Sequence, residues 1–324
     1  MASNFWEKLP KPFFILAPMA DVTDPAFRQI IAKYGKLARP LAGPDVLYTE
    51  FVSADGLVHP EGRKRLLLDL KYGENERPIV AQLFSGKAAK IKEAAKIVKD
   101  LGFDGLDINM GCPDKTIEKQ GAGAALIKNP KLAQDIIAAA EEGFGARISV
   151  KTRLGYSKLE EFESWFAALL EANPVAITVH LRTRQEMSKV PAHWELASQY
   201  ANKLENVGIL SVGNGDVMSM VEAKEKAEQY NLDGIMIGKG VFGNPYFFTG
   251  KSRDEVSVEE RMRIMIEHTY LFEEYFAGKK SFAVMKKFFK AYIAGHSQAK
   301  ELQEKLMACE NAKQVEEVCS SPVV

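Results

Sequence analysis

Cysteine is scarce in this chain: three in 324 residues, at positions 112, 309 and 319. An odd, sparse set argues against a disulfide framework and suits a reducing compartment. A charge imbalance is missing too. Lys plus Arg and Asp plus Glu both number 43, so composition points to no polyanionic partner, and any nucleic-acid surface must come from local clustering. No apolar run reaches the roughly 20 residues that span a bilayer. Trp6, Glu7, Lys8 and Pro10 interrupt the N-terminal stretch, which lacks a signal-peptide core. The expectation is a cytoplasmic protein with no membrane partner and no metal; the oligomeric state stays open, a monomer being compatible with the sequence. A Gly-rich dinucleotide turn is also absent after the first apolar segment, which runs into Ala17-Pro18-Met19-Ala20. That argues against a doubly wound open sheet.

What is present is an apolar content of 46%, enough for a large core, in a length that suits one barrel-sized domain and an appendage. Eight short apolar segments read as strands: Phe13 to Met19, Val46 to Phe51, Ile79 to Phe84, Leu106 to Asn109, Ile148 to Arg153, Ala176 to His180, Val207 to Val212 and Gly234 to Ile237. Helical patterns such as Ala88 to Leu101 and Lys131 to Gly143 separate most of them. Eight such units predict an α/β fold, a (β/α)8 TIM barrel, over residues 1–250. From about Phe248 the pattern turns helical, with Val256 to Phe276 and Ser281 to Ala294, which predicts a small all-helical C-terminal domain over 251–324 with a frayed tail beyond Val318. In its segment 279–290, Lys279, Lys286, Lys287 and Lys290 share a broad face while Phe282, Val284 and Phe289 face inward. A solvated basic face and a phosphate-backbone contact surface are both open there.

Asn109-Met110-Gly111-Cys112-Pro113, followed by Gly121-Ala122-Gly123-Ala124, sets a thiol at the carboxyl end of a strand. In α/β proteins that edge is where ligands bind, although a lone cysteine is also a common core residue. Gln82, Asn109, Lys151, Arg153, His180, Arg182 and Asn214 emerge at the same edge. Lys151 is the most telling, because an ammonium inside a barrel strand is costly unless an anion or acceptor meets it. Loops seven and eight carry Gly213-Asn214-Gly215-Asp216 and Gly238-Lys239-Gly240, where barrels tend to cradle phosphates. Together these suit flavin mononucleotide (FMN): phosphate on the glycine loops near His180, and Lys151 at the pyrimidine edge of the ring. Cys112 is then placed to exchange a proton at a substrate carbon while the flavin exchanges a hydride, reducing or forming a C=C bond.

These residues resemble the tRNA-dihydrouridine synthase family. The resemblance rests on Leu16-Ala17-Pro18-Met19-Ala20 with Val22-Thr23-Asp24 and Phe27-Arg28, on Thr49-Glu50, on the segment from Leu106 to Ala124, on Lys151-Thr152-Arg153, on His180 with Arg182-Thr183-Arg184, and on the glycine loops. It implies reduction of the C5=C6 bond of uridines in tRNA, with NADPH or NADH reducing FMN, hydride passing to C6, and Cys112 protonating C5. It also implies that Pro18, Met19, Gln82, Lys151, His180, Gly213, Asn214, Gly215, Asp216, Gly238 and Lys239 hold FMN. Asn109, Arg182 and Arg184 would hold the uracil and its phosphates, and the helical tail, through Lys286 and Lys287, the tRNA. The chain departs from the family pattern at Asp21 and Leu181, where Gly is usual, at Lys239 for Arg, and at Ser188 for an aromatic. Two other readings stay open: an FMN barrel oxidoreductase acting on a free pyrimidine or enone, and an RNA-binding factor with little turnover.

Overall fold

In a computed structural model, which describes residues 5–36, 43–276 and 278–320, eight parallel strands close into a barrel in sequential order. The strands are β1 (Phe13–Leu16), β2 (Val46–Ser53), β3 (Ile79–Phe84), β4 (Gly105–Asn109), β5 (Ser149–Arg153), β6 (Ala176–His180), β7 (Leu210–Asn214) and β8 (Gly234–Ile237). The barrel helices are α1 (Pro25–Lys36), α2 (Ala54–Val58), α3 (Pro60–Asp69), α4 (Ala88–Asp100), α5 (Lys115–Lys119), α6 (Pro130–Phe144), α7 (Phe162–Ala172), α8 (Ala197–Glu205) and α9 (Met220–Gln229). α10 (Val258–Phe276), α11 (Lys286–Tyr292), α12 (Ala299–Ala308) and α13 (Ala312–Ser320) follow. The expected TIM barrel with a helical tail is the observed fold.

Side-chain alternation divides the strands between two cores. Phe13, Ile15, Val46, Tyr48, Val80, Ala176, Val212 and Met236 fill the lumen, with Trp6 packed below them. The alternate residues, such as Leu16, Leu83, Ile108, Val150 and Ile237, join the outer core with the helices. That core continues without a break into the tail: the Phe27 and Phe288 rings stack 5.4 Å apart, and His268 lies edge-on to Phe288 at 4.9 Å.

Several boundaries differ from the sequence reading. β1 ends at Leu16 rather than Met19, because Pro18 has no N–H to extend the ladder; residues 17–19 become loop. β7 starts at Leu210, not Val207, since Val207 ends the turn after α8 and Gly208 takes φ +68° before the strand begins. The tail is helical past Val318: Cys319 and Ser320 complete α13 and Cys319 packs on the core, while Ser321 and Pro322 lie outside the described residues. The segment expected as one helix over Ser281 to Ala294 is a 3-10 turn at Phe282–Met285 followed by α11. β2 also shifts register against β3 between Tyr48 and Phe51, a bulge that puts Thr49 and Glu50 at the barrel rim.

Candidate active site

A cleft of about 350 Å³ opens at the carboxyl ends of the strands, lined by Ala17, Pro18 and Met19 after β1, Lys151 and Arg153 on β5, His180 and Arg182, Met187 and Ser188, the β7 loop from Asn214 to Met218, Met236, Gly238 and Lys239. Its ionic lining comprises four cations, Lys151, Arg153, Arg182 and Lys239, against one carboxylate, Asp216. Such a concave, basic surface concentrates field and suits an anion.

Lys151 projects from the strand interior, and its Nζ donates to Asn214 Oδ1 at 3.2 Å, while Asn214 Nδ2 donates to the Met236 carbonyl at 2.8 Å. Burial and the neighbouring Arg153 push its pKa down to about 8, with Asp107 and Cys112 opposing. His180 is driven far below its usual range by burial and by the surrounding cations Lys151, Arg153, Arg182 and Lys239, so its imidazole is neutral. Arginine can only donate; His180 Nε2 therefore accepts from Arg182 Nη1 at 3.1 Å, and the ring proton sits on Nδ1. Arg182 also donates to the Val190 carbonyl at 2.6 Å and pairs with Asp216.

Below the cleft a polar chain runs through the lumen. Tyr48 Oη meets Ser149 Oγ at 3.1 Å, Ser149 Oγ donates to Asp107 at 2.6 Å, Gln82 Nε2 donates to Asp107 at 2.7 Å, and Asn109 Nδ2 donates to Gln82 Oε1 at 2.9 Å. Burial raises the Asp107 pKa to about 6. The chain ends at the cysteine turn, where Asn109 Oδ1 accepts from the Gly111 and Cys112 N–H groups at 3.1 and 2.9 Å. Arg153 Nε donates to the Gly111 carbonyl at 2.7 Å and its Nη1 reaches the Thr183 and Met187 carbonyls, both at 3.1 Å, so one guanidinium joins that turn to the loop carrying Ser188. Asp114 caps α5, accepting from Thr116 N at 2.8 Å, and Arg184 pairs with Glu118 on that helix and donates to the Pro113 carbonyl at 3.1 Å. The turn is thus held from below, from the side and from behind.

Cys112 is half-buried, packed with Phe51, Phe84, Ile117 and Ala122. Its neighbour Pro113 lines the cleft. Burial raises its pKa against the pull of Arg153 and Lys151, which keeps the proton on sulfur at neutral pH. Gly123 takes φ +60° with its backbone against this residue: a Cβ there would stand 2.7 Å from the Cys112 carbonyl oxygen. The glycine of the motif is therefore sterically required.

Of the residues expected to hold a cofactor, the fold brings Pro18, Met19, Lys151, His180, Asn214, Gly215, Asp216, Gly238 and Lys239 to the cleft. Gln82 lies deeper, in the lumen chain, fully buried. Gly213 is a packing glycine: a Cβ would meet Leu232 and Trp194 at 2.9 Å. Among the expected substrate residues, Arg182 lines the cleft, whereas Asn109 and Arg184 support the cysteine turn. Lys286 and Lys287 stand apart on α11. Lys286 Nζ donates to the Met307 carbonyl at the end of α12, and Lys287 Nζ to the Asp21 carbonyl, both at 2.7 Å. Sequence reasoning missed Asp107 and the Met187 rim. Asp107 carried a signal, since Asp107 and Asn109 alternate on one face of β4.

The family model described as Dihydrouridine synthase (Dus) matches residues 15–323. A "Probable tRNA-dihydrouridine synthase" of Staphylococcus aureus (strain COL) is 40% identical over 311 residues, 95% of this chain and 92% of the relative. A "Probable tRNA-dihydrouridine synthase 2" of Bacillus subtilis (strain 168) is 39% identical over 322 residues, 98% of this chain and 95% of the relative. Among solved structures, histamine dehydrogenase from Rhizobium sp. 4-9 superposes with a TM-score of 0.53 at 14% identity, over 80% of this chain and 48% of that one, a likeness of barrel fold. Barrel, cysteine turn, basic cleft and these matches agree: the chain belongs to the dihydrouridine synthase family.

Proposed function

We propose that this chain reduces the C5=C6 bond of uridines in tRNA, using FMN reduced by NADPH or NADH, with Cys112 as the proton donor. The observation that carries the reading is the buried Lys151 ammonium, which forms no salt bridge among the described residues, in a cleft of excess positive charge beside a protonated thiol. The names of the relatives support tRNA as the substrate.

The cleft suits FMN. Gly215, at φ +137°, brings backbone past Ala192 and His180 with no room for a side chain, and at Gly238 a Cβ would stand 3.3 Å from Met19 Sδ. Backbone that a ligand can approach this closely, with Arg182 and Lys239 nearby, suits a phosphate. When bound, FMN supplies the hydride. The chain does the rest. Lys151 presents a positive charge to electron-rich oxygen and nitrogen at the pyrimidine edge. Neutral His180 holds Arg182 in line. Asn109 and Arg153 fix the Cys112 backbone, so that Sγ keeps its proton until a carbanionic carbon takes it. The helical tail over residues 251–324 serves as the tRNA-binding domain, its exposed Lys279 and Lys290 offering phosphate contacts. A base inside folded tRNA must be extruded first, at a cost of a few kcal/mol.

The test uses purified chain and unmodified tRNA. We expect a yellow protein that forms dihydrouridine with NADPH or NADH. Cys112→Ala should keep its flavin and lose roughly 10²–10⁴-fold in turnover. A colourless chain that binds no FMN refutes the reading, and near-normal turnover in Cys112→Ala removes that thiol from it.

A further inference from the structure

The helical tail touches a loop at the cleft. Residues 17–19 line the cleft, and two residues on, Asp21 adopts φ +55°, a left-handed conformation that costs a non-glycine residue energy and persists only where neighbours impose it. The neighbours are visible. The Asp21 N–H donates to Glu50, which the β2 bulge sets at the rim with 6% of its surface exposed. The Asp21 carbonyl accepts from Lys287 Nζ at 2.7 Å. Glu50 is held in turn by Lys280, whose Nζ stands 3.3 Å from Glu50, 3.6 Å from Asp69 and 4.0 Å from Asp21. Both backbone polar groups of Asp21 are therefore fastened, directly or through Glu50, to lysines of the tail.

The sequence suggested that Lys287 meets phosphate. Its ammonium is instead engaged by a backbone carbonyl, and Lys280 faces three carboxylates that offset its charge, a poor arrangement for gripping an anion. We propose that Lys280 and Lys287 are positioning residues for the cofactor cleft: by holding Glu50 and Asp21 they set the loop over residues 17–21 and couple the helical tail to the flavin site. The inference rests on the reading of the cleft as a flavin site.

The experiment uses the full chain and its Lys280→Met, Lys287→Met and Lys287→Arg variants. FMN affinity is read by quenching of flavin fluorescence without tRNA, flavin reduction by NADPH without tRNA, tRNA binding across a salt series, and stability by denaturant midpoint. We expect both Met variants to bind FMN about threefold to tenfold more weakly, the scale of one ordinary hydrogen bond transmitted through the loop, and to slow flavin reduction. The salt slope of tRNA binding should stay unchanged, and Lys287→Arg, which keeps a donor, should restore most of the affinity. Wild-type FMN affinity and reduction rate in Lys287→Met, with a salt slope lower by about one, would make it a phosphate contact and overturn the proposal. A loss of FMN affinity that merely tracks the denaturant midpoint, as in a control destabilised in the outer core such as Val98→Ala on α4, overturns it as well. Wild-type chain that binds no FMN defeats the flavin reading, and the coupling with it, before any variant is compared.

Discussion

Replacing Lys151 with Met separates the cost of this residue from its use. The ammonium titrates at about 8 instead of 10.5, and each unit corresponds to about 1.4 kcal/mol, so holding it charged in the cofactor-free fold costs up to about 3 kcal/mol. Partial exposure of Lys151 to the cleft discounts that to about 2 kcal/mol. Met fills a similar volume without the charge but leaves Asn214 Oδ1 without its donor, returning about 1 kcal/mol. The net expectation is a cofactor-free Lys151→Met chain more stable by about 1 kcal/mol at pH 7, read as a higher urea midpoint at constant slope. FMN affinity should move the opposite way, weakening about 10-fold to 100-fold, as expected for a charged hydrogen bond to an anionic ligand. The sign with pH follows from the depressed pKa. The folded state sheds this proton before the unfolded state does, so the penalty is present below pH 8 and disappears as pH rises from about 8 towards 10.5. The stability advantage of Met therefore shrinks over that window, and wild-type FMN affinity falls as pH passes 8. A variant that is less stable than wild type and keeps its FMN affinity would show the ammonium to be structural, and would refute the reasoning.

Three further outcomes test the supports of the site. Gly123→Ala places a Cβ 2.7 Å from the Cys112 carbonyl at a left-handed φ and should cost about 1–3 kcal/mol by denaturant melts; an unchanged midpoint would mean the turn yields freely. Glu76→Gln leaves Arg28, fully buried and bonded to it at 2.6 Å, without its counter-charge and should cost about 3–5 kcal/mol; a loss under 1 kcal/mol would contradict that pairing energy. Asn109→Ala strips the acceptor from two N–H groups of the cysteine turn and should lower turnover while FMN binding holds; equal turnover would show that Arg153 and Arg184 suffice to set Cys112.

The barrel was legible because its signal is local. Short apolar runs from Phe13 to Ile237 read as strands, turn residues punctuate them, and helical patterns separate most of them. The cleft was legible in part for the same reason: strand order places all carboxyl ends on one face, so Lys151, His180 and Asn214 converge whatever the details of packing. Gln82, Gly213 and Asn109 were drawn to the cleft by that same logic and Arg184 by the family resemblance, yet the fold spends them on the lumen chain, on Trp194 and on the cysteine turn. Which side of a rim a polar residue serves depends on neighbours far away in the chain. Lys287 shows this most plainly, since its partner Asp21 lies 266 residues earlier.

By itself the sequence determined the barrel, the helical tail, the cysteine turn at a strand end, and a basic strand-end site, because periodicity, turn chemistry and strand polarity are properties of adjacent residues. Only the tertiary structure decided which charges pair and which stay open to a ligand. Among the described residues Lys151 forms no salt bridge while Arg182 and Arg184 have theirs, Lys280 meets three rim carboxylates, and the exposed Lys287 meets the Asp21 carbonyl. Pairing and burial are set by residues that meet only when the barrel closes and the tail packs against it.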